Sequence, residues 1–185
     1  MGGKVFIAAG HYPTAPGAGF EGFYEHEEAT RWVSVMTALD PDARVLVPVP
    51  TGTLKEKTVF INKRCDRQRD VAVEIHFNSF VDTQGNHKGS GCVSLFYPDS
   101  KTSAALANAC QEVLKVHFPP DRGIAAGWYR GNELRGPYYF LAKTSCAAVI
   151  LEPEFVHHRE LIQSKRQEVA QALAAMLAEY VGSKL

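Results

Sequence analysis

"VAVEIHFN", residues 71–78, is the stretch on which the reading of this chain turns. "VAVEI" has β composition, and it runs directly into His76 and then Asn78. Strand alternation puts Glu74, His76 and Asn78 toward one side, with Val73, Ile75 and Phe77 toward the other. A histidine at a strand end can offer a neutral ring nitrogen to a metal while an acceptor behind it holds the second nitrogen. Standing alone, such a histidine reads as structural, so the question is what else the chain brings to the same place.

Further short β-rich runs lie on both sides: "KVFIAA" at 4–9, "RVLVPV" at 44–49, "GCVSLFY" at 91–97, "YYFLAKT" at 138–144 and "AAVILE" at 147–152. Helical patterns separate most of them. Ala29, Trp32, Val33, Met36 and Leu39 recur near one face of a helix over Glu25 to Leu39. Thr53 and Glu56 form a capping box that predicts a helix from Leu54 toward Arg69. Ser100 caps another, which Pro119 and Pro120 end. Ile162, Val169, Leu173, Met176 and Tyr180 stripe a last helix from Arg159 to Val181, with Gly182 as its stop. Residues 78–90 read as a polar loop, and so does the segment holding Gly123, Gly127, Gly131 and Gly136.

Strands alternating with helices predict an α/β fold: a single twisted sheet of about six strands, mostly parallel or mixed, with helices on both faces. At 185 residues the chain has room for one core, so 1–185 is read as a single domain with no separate binding domain evident. Twenty basic residues against twenty acidic ones give no net charge, which argues against nucleic acid or an anionic membrane as the partner. No stretch reaches the roughly 20 apolar residues of a membrane span, and no export leader precedes "KVFIAAGH". Cys65, Cys92, Cys110 and Cys146 are too scattered for a metal-binding pair and read as buried small residues. "GAGFEG" lacks the spacing of a phosphate loop, and no Gly-x-Ser-x-Gly elbow is present.

Ligands of open α/β sheets bind beyond the carboxyl ends of the strands, and His11, His76 and Glu152 all follow such ends. Glu25 opens a helix four residues before Ala29 and is a third candidate ligand, with His26, Glu27 and Glu28 as competitors. Two imidazoles and a carboxylate would make a mixed zinc site with its fourth position open, the pattern of a hydrolytic centre. Glu152, after "AAVIL" and before Pro153, suits a general base, and Glu154 is the alternative. Arg122 is a candidate for a peptide carboxylate, and Trp128, Tyr129, Tyr138, Tyr139 and Phe140 for a groove wall. His26, His87, His117, His157 and His158 have no comparable combination of place and partners.

With those residues in view, the chain resembles the zinc-dependent N-acetylmuramoyl-L-alanine amidases, the α/β catalytic domain of bacterial wall enzymes and phage endolysins. The likeness runs from "VFIAAGH" through "GAGFEGFYEHEEATRWV", "DVAVEIHFNS", "GSGCVSLFY" and "DRGI" to "AAVILEPEFV". It implies that His11, Glu25 and His76 hold Zn²⁺, that Glu152 is the catalytic glutamate, and that Asn78 and Arg122 meet substrate. Glu74 and Glu154 depart from the family pattern. Glu74 is left to orient an imidazole, stand near the ion or face solvent, and Glu154 to serve as the other base.

The substrate implied is peptidoglycan, cut between N-acetylmuramic acid and the L-alanine of the stem peptide. A non-catalytic zinc protein that binds peptidoglycan, or a zinc peptidase cutting within the stem, are the alternatives. A monomeric phage or prophage endolysin that accumulates in the cytoplasm and reaches the wall after release is the expected setting, against an exported bacterial amidase.

Overall fold

The computed structural model describes residues 2–130, 133–136 and 138–183. Its elements are β1 (Val5–Ala9), β2 (Gly19–Phe20), β3 (Phe23–Tyr24), α1 (Glu25–Thr37), β4 (Leu46–Pro48), α2 (Leu54–Asn62), β5 (Val71–Ile75) and β6 (Cys92–Phe96). There follow α3 (Lys101–His117), β7 (Asp121–Ala126), β8 (Trp128–Arg130), β9 (Glu133–Gly136), α4 (Tyr139–Lys143), β10 (Ala147–Glu152) and α5 (Arg159–Gly182). Six strands form one sheet in the order β4-β1-β5-β10-β6-β7. The first four are mutually parallel, β6 runs antiparallel to β10, and β7 follows the direction of β6.

Helices cover both faces, as the alternating sequence predicts. Val5, Ile7, Val71, Val73, Ile75, Val149 and Leu151 point to one side, where they meet Trp32 of α1, Leu106 and Leu114 of α3, and Leu173 and Leu177 of α5. Phe6, Ala8, Ala72, Ala148 and Ile150 point to the other, against Ile61 of α2 and Phe140 of α4. Trp32 is fully buried, and truncating it to alanine would cost about 3–5 kcal/mol in lost contacts and cavity. Among the described residues no helix is long and apolar enough to cross a membrane.

Several boundaries differ from the sequence expectation. "YYFLAKT" forms the short helix α4 instead of a strand: Ala142 and Thr144 donate back to the carbonyls of Tyr138 and Phe140. β10 is already flanked by β5 and β6, so no edge is open there, and the aromatic run instead lids the sheet with Phe140 and Leu141 buried. The sixth sheet strand is β7, inside the segment read as a loop, where pairing with β6 overrides weak local propensity. β8 and β9 pair in the same region.

Helix α2 stops at Asn62, well short of Arg69, and the Asn62 side chain ties that end to the chain after α4, donating to Lys143 O at 2.7 Å and accepting from Ser145 N at 2.8 Å. α1 ends at Thr37, which leaves Leu39 exposed rather than on the stripe, and α5 includes Gly182 rather than stopping before it. The capping box at Thr53 and Glu56 and the Ser100 cap form as read.

Register brings the distant chemistry level. Ala9 of β1 pairs with Ile75 of β5, which pairs in turn with Leu151 of β10. The residues just past these partners, Gly10-His11, His76 and Glu152, therefore emerge side by side on one rim.

Candidate metal centre

Three side chains meet above that rim. Glu25, the first residue of α1, reaches back over the sheet with one carboxylate oxygen on each histidine. Oε1 lies 2.8 Å from His76 Nδ1, and Oε2 lies 3.0 Å from His11 Nε2. The backbone fixes the carboxylate as well: Phe77 N donates to Oε1 at 3.1 Å and Ala18 N to Oε2 at 3.0 Å. The two rings meet edge to face at 4.9 Å. One donor atom from each of His11, Glu25 and His76 falls within 4.8 Å of the others, so the cluster can coordinate a metal.

The surroundings keep this geometry. His11 takes a left-handed backbone, φ 56°, so that its ring turns toward Glu25. Gly10 is held from both ends, donating to Ile75 O at 2.7 Å while its carbonyl lies 2.7 Å from His26 Nδ1. Gly17 (φ +79°) closes over the ligands so tightly that a Cβ would sit 2.4 Å from His11 Cδ2.

The electrostatics favour a cation. Burial would raise the Glu25 carboxyl, but the hydrogen bonds from His11 and His76 outweigh it and hold it at about 2. Burial would discharge His76, yet the Glu74 carboxylate and the bond to Glu25 push it up to about 10. The field that retains a proton between His76 and Glu25 also attracts a divalent ion, whose binding must release that proton. Two nitrogens and one oxygen on converging, mostly buried side chains fit the donor set of zinc.

Glu152 stands on the same cavity wall. Burial raises its carboxyl to about 7, with His76 pulling it down, Glu25 adding to the rise and Arg122 opposing it. Asn78 Nδ2 donates to Glu152 Oε2 at 2.7 Å, and Asn78 Oδ1 accepts from Ser79 N, which sets the amide's orientation. Glu152 lines a cavity of about 390 Å³ together with His11, Glu25, His76, Tyr138, Tyr139 and Phe140.

A second groove of about 570 Å³ shares Asn78, Ser79, Tyr138 and Glu152 with it and leads to Arg122. The Arg122 guanidinium sits 5.1 Å over the Phe155 ring. The side chains of Trp128 and Tyr129 lie outside those described.

The remaining acidic residues separate by environment. Glu74 is buried between His76 and Lys57, not in solvent. Glu154 is buried elsewhere, accepting from Gly91 N and Phe155 N at 2.9 and 2.8 Å and lying 3.2 Å from His158 Nδ1. Glu28 ties α1 to α5 through a two-pronged bond from Arg166. Sequence reading missed Lys57 and Gly17, and it gave no sign that His26, set aside as a ligand, would brace Gly10. The one trace of Lys57 is its place four residues before Ile61 on a helix face, which by itself does not set it apart from a solvated lysine.

A family model for N-acetylmuramoyl-L-alanine amidase matches residues 5–179. The chain belongs to that family. Membership makes it a hydrolase of the amidase class. Solved structures share the fold. An N-acetylmuramoyl-L-alanine amidase from Clostridium difficile 630 superposes with a TM-score of 0.79 at 20% identity, covering 100% of this chain and 99% of that one. The catalytic domain of CwlV, an N-acetylmuramoyl-L-alanine amidase from Bacillus (Paenibacillus) polymyxa var. colistinus, gives 0.75 at 22%, covering 96% and 97%. The catalytic domain of an endolysin targeting Clostridia difficile gives 0.70 at 17%, also covering 96% and 97%. No curated protein matches the chain.

Proposed function

We propose that this amidase hydrolyses the bond between the lactyl group of N-acetylmuramic acid and the L-alanine of the stem peptide, with zinc held by His11, Glu25 and His76 and Glu152 as general base. The observation that carries the reading is the Glu25 carboxylate shared between two imidazoles, with a second carboxylate of raised pKa on the same cavity wall. When bound, zinc supplies Lewis acidity that polarises a carbonyl and acidifies water.

The chain's own groups do the rest. Glu152 takes the proton of the attacking water and returns it to the leaving amine, while Asn78 holds one of its carboxylate oxygens and so steadies the group. A pKa near 7 suits both directions of that exchange. The aromatic wall of Tyr138, Tyr139 and Phe140 offers a sugar or peptide an apolar face, and the Arg122 groove offers a stem carboxylate its charge.

The biological setting proposed is that of a phage or prophage endolysin that accumulates in the cytoplasm and acts on the wall after release. Its support is the fold shared with an endolysin catalytic domain, and a bacterial wall amidase is the competing assignment. Mass analysis of muropeptides digested by the zinc-loaded protein tests the reaction. Free stem peptides beginning with L-alanine, beside peptide-free glycan, are expected. Shortened stems still attached to muramic acid would make it a stem peptidase, and binding without products a recognition protein.

A further inference from the structure

Lys57 of α2 is an ammonium with no access to water: the residue is 2% exposed. Burying such a charge is costly unless every donor is matched. Its three donors are matched in full, to the carbonyls of Ala9 and His11 (2.7 Å for the latter) and to Glu74 Oε1 at 3.1 Å. None of these partners belongs to the helix that carries the lysine. Two are the backbone oxygens at the end of β1 and at the first candidate ligand, and the third is the carboxylate behind the other histidine.

Glu74 completes the connection. Among the described residues its Oε2 has no hydrogen-bond partner, and it lies 3.2 Å from His76 Nε2, which has none there either. The separation is short enough for attraction, but the groups are not aligned as a finished bond. An Nε2–H directed at Glu74 requires the tautomer whose Nδ1 lone pair faces Glu25 and His11.

We infer that Lys57 and Glu74 form one positioning device for the metal centre: a single ammonium fastens the backbone at His11 and, through Glu74, fixes the ring orientation and tautomer of His76. Carboxylate–imidazole pairs behind metal ligands raise ligand basicity and pre-set the ring. Here the carboxylate is itself anchored by the cation that anchors the other ligand's main chain. The inference rests on His11, Glu25 and His76 being the metal site. Both are buried and act through the candidate ligands they hold, so both are positioning residues and not catalytic ones.

The test is zinc competition against a chromophoric chelator, on wild type, Glu74→Gln, Lys57→Met, the double variant and a His76→Ala control, with the thermal midpoint of each metal-free protein measured alongside. Glu74→Gln and Lys57→Met are expected to bind zinc about 10- to 100-fold more weakly, and the double variant no worse than the poorer single one, because both act through one device. ¹⁵N NMR of zinc-loaded wild type should show His76 protonated at Nε2, with a mixture of ring states in Glu74→Gln.

The double variant leaves no unpaired buried charge, so it decides the matter if a single variant does not fold. A folded double variant that binds zinc within about threefold of wild type overturns the inference, reducing Lys57 and Glu74 to a structural ion pair. Wild type that takes up no zinc, or His76→Ala that holds it as tightly as wild type, removes the metal centre itself and this inference with it.

Discussion

Gly17→Ala and Gly22→Ala form a matched pair that isolates the closeness of the loop to the metal ligands. Both glycines have φ +79°, where an alanine costs about 1–2 kcal/mol from its own Cβ. In a protein of this size that strain lowers the melting temperature by about 2–8 °C, and equally for both variants. The difference lies in what the new methyl meets. At Gly22 nothing comes within 4 Å, whereas at Gly17 it falls 2.4 Å from His11 Cδ2 and 2.5 Å from Glu25 Oε2.

The first of those contacts is about 1 Å short of ordinary contact, and metal–ligand distances tolerate only about 0.2 Å. His11 or Glu25 must leave its place. Gly17→Ala should therefore lose at least about 100-fold in zinc affinity, more than the usual loss of an outer partner, while Gly22→Ala binds as wild type does. Chelator competition on both, beside a thermal melt, is the assay. Equal zinc affinity in the two variants would refute the reasoning, since strain alone would then account for everything measured.

Glu152→Gln should keep its zinc and lose about 10²- to 10⁴-fold in turnover, whereas Glu154→Gln should keep turnover and melt lower; the opposite pattern in a dye-release assay moves the base to Glu154. In metal-free protein, the raised His76 contributes stability that is complete below pH 6.5 and lost as pH climbs through about 10. The raised Glu152 adds a contribution present below pH 4.5 and lost through about 7, while Glu25, held near 2, contributes above pH 4.5 and loses it through about 2. Urea midpoints in chelator should thus peak near pH 4.5, fall through about 7 as Glu152 ionises, and fall further toward pH 10, an alkaline limb that saturating zinc removes; a flat alkaline limb counts against the His76–Glu25 pairing. Arg166→Met leaves the fully buried Glu28 without its main partner and should cost about 3 kcal/mol in chemical denaturation, with zinc affinity unchanged.

What the sequence displayed, and what it hid, follows from the range of the forces involved. His11 and His76 were legible because each ends a run whose β composition is local, and parallel register then levels them. Residue chemistry left Glu25 in competition with Glu28 three positions on. Only the third dimension separates them, one turned over the rim and the other down to Arg166 on α5. Helix α4 was misread because Tyr, Phe and Leu carry the same β signal whether they enter a sheet or lid it, and the choice depends on which strand edges are free. Lys57 reads as one more solvated helix lysine until β1 supplies the carbonyls that receive it. Gly17 gives no local sign of the imidazole lying against it.

The reversal of β6 and β7 relative to the other strands bears on how such an enzyme can be retuned. Because β5 leaves and β6 arrives at the same end of the sheet, residues 76–91 never cross to the far side. The segment stays beside the reaction centre throughout, lending Ser79, Phe80, Gly89 and Ser90 to the groove that holds Arg122. Lengthening, shortening or exchanging its outer part would reshape the groove proposed for the stem peptide while leaving every pairing of the six-stranded sheet in place, so selectivity among substrates can change independently of the candidate metal centre.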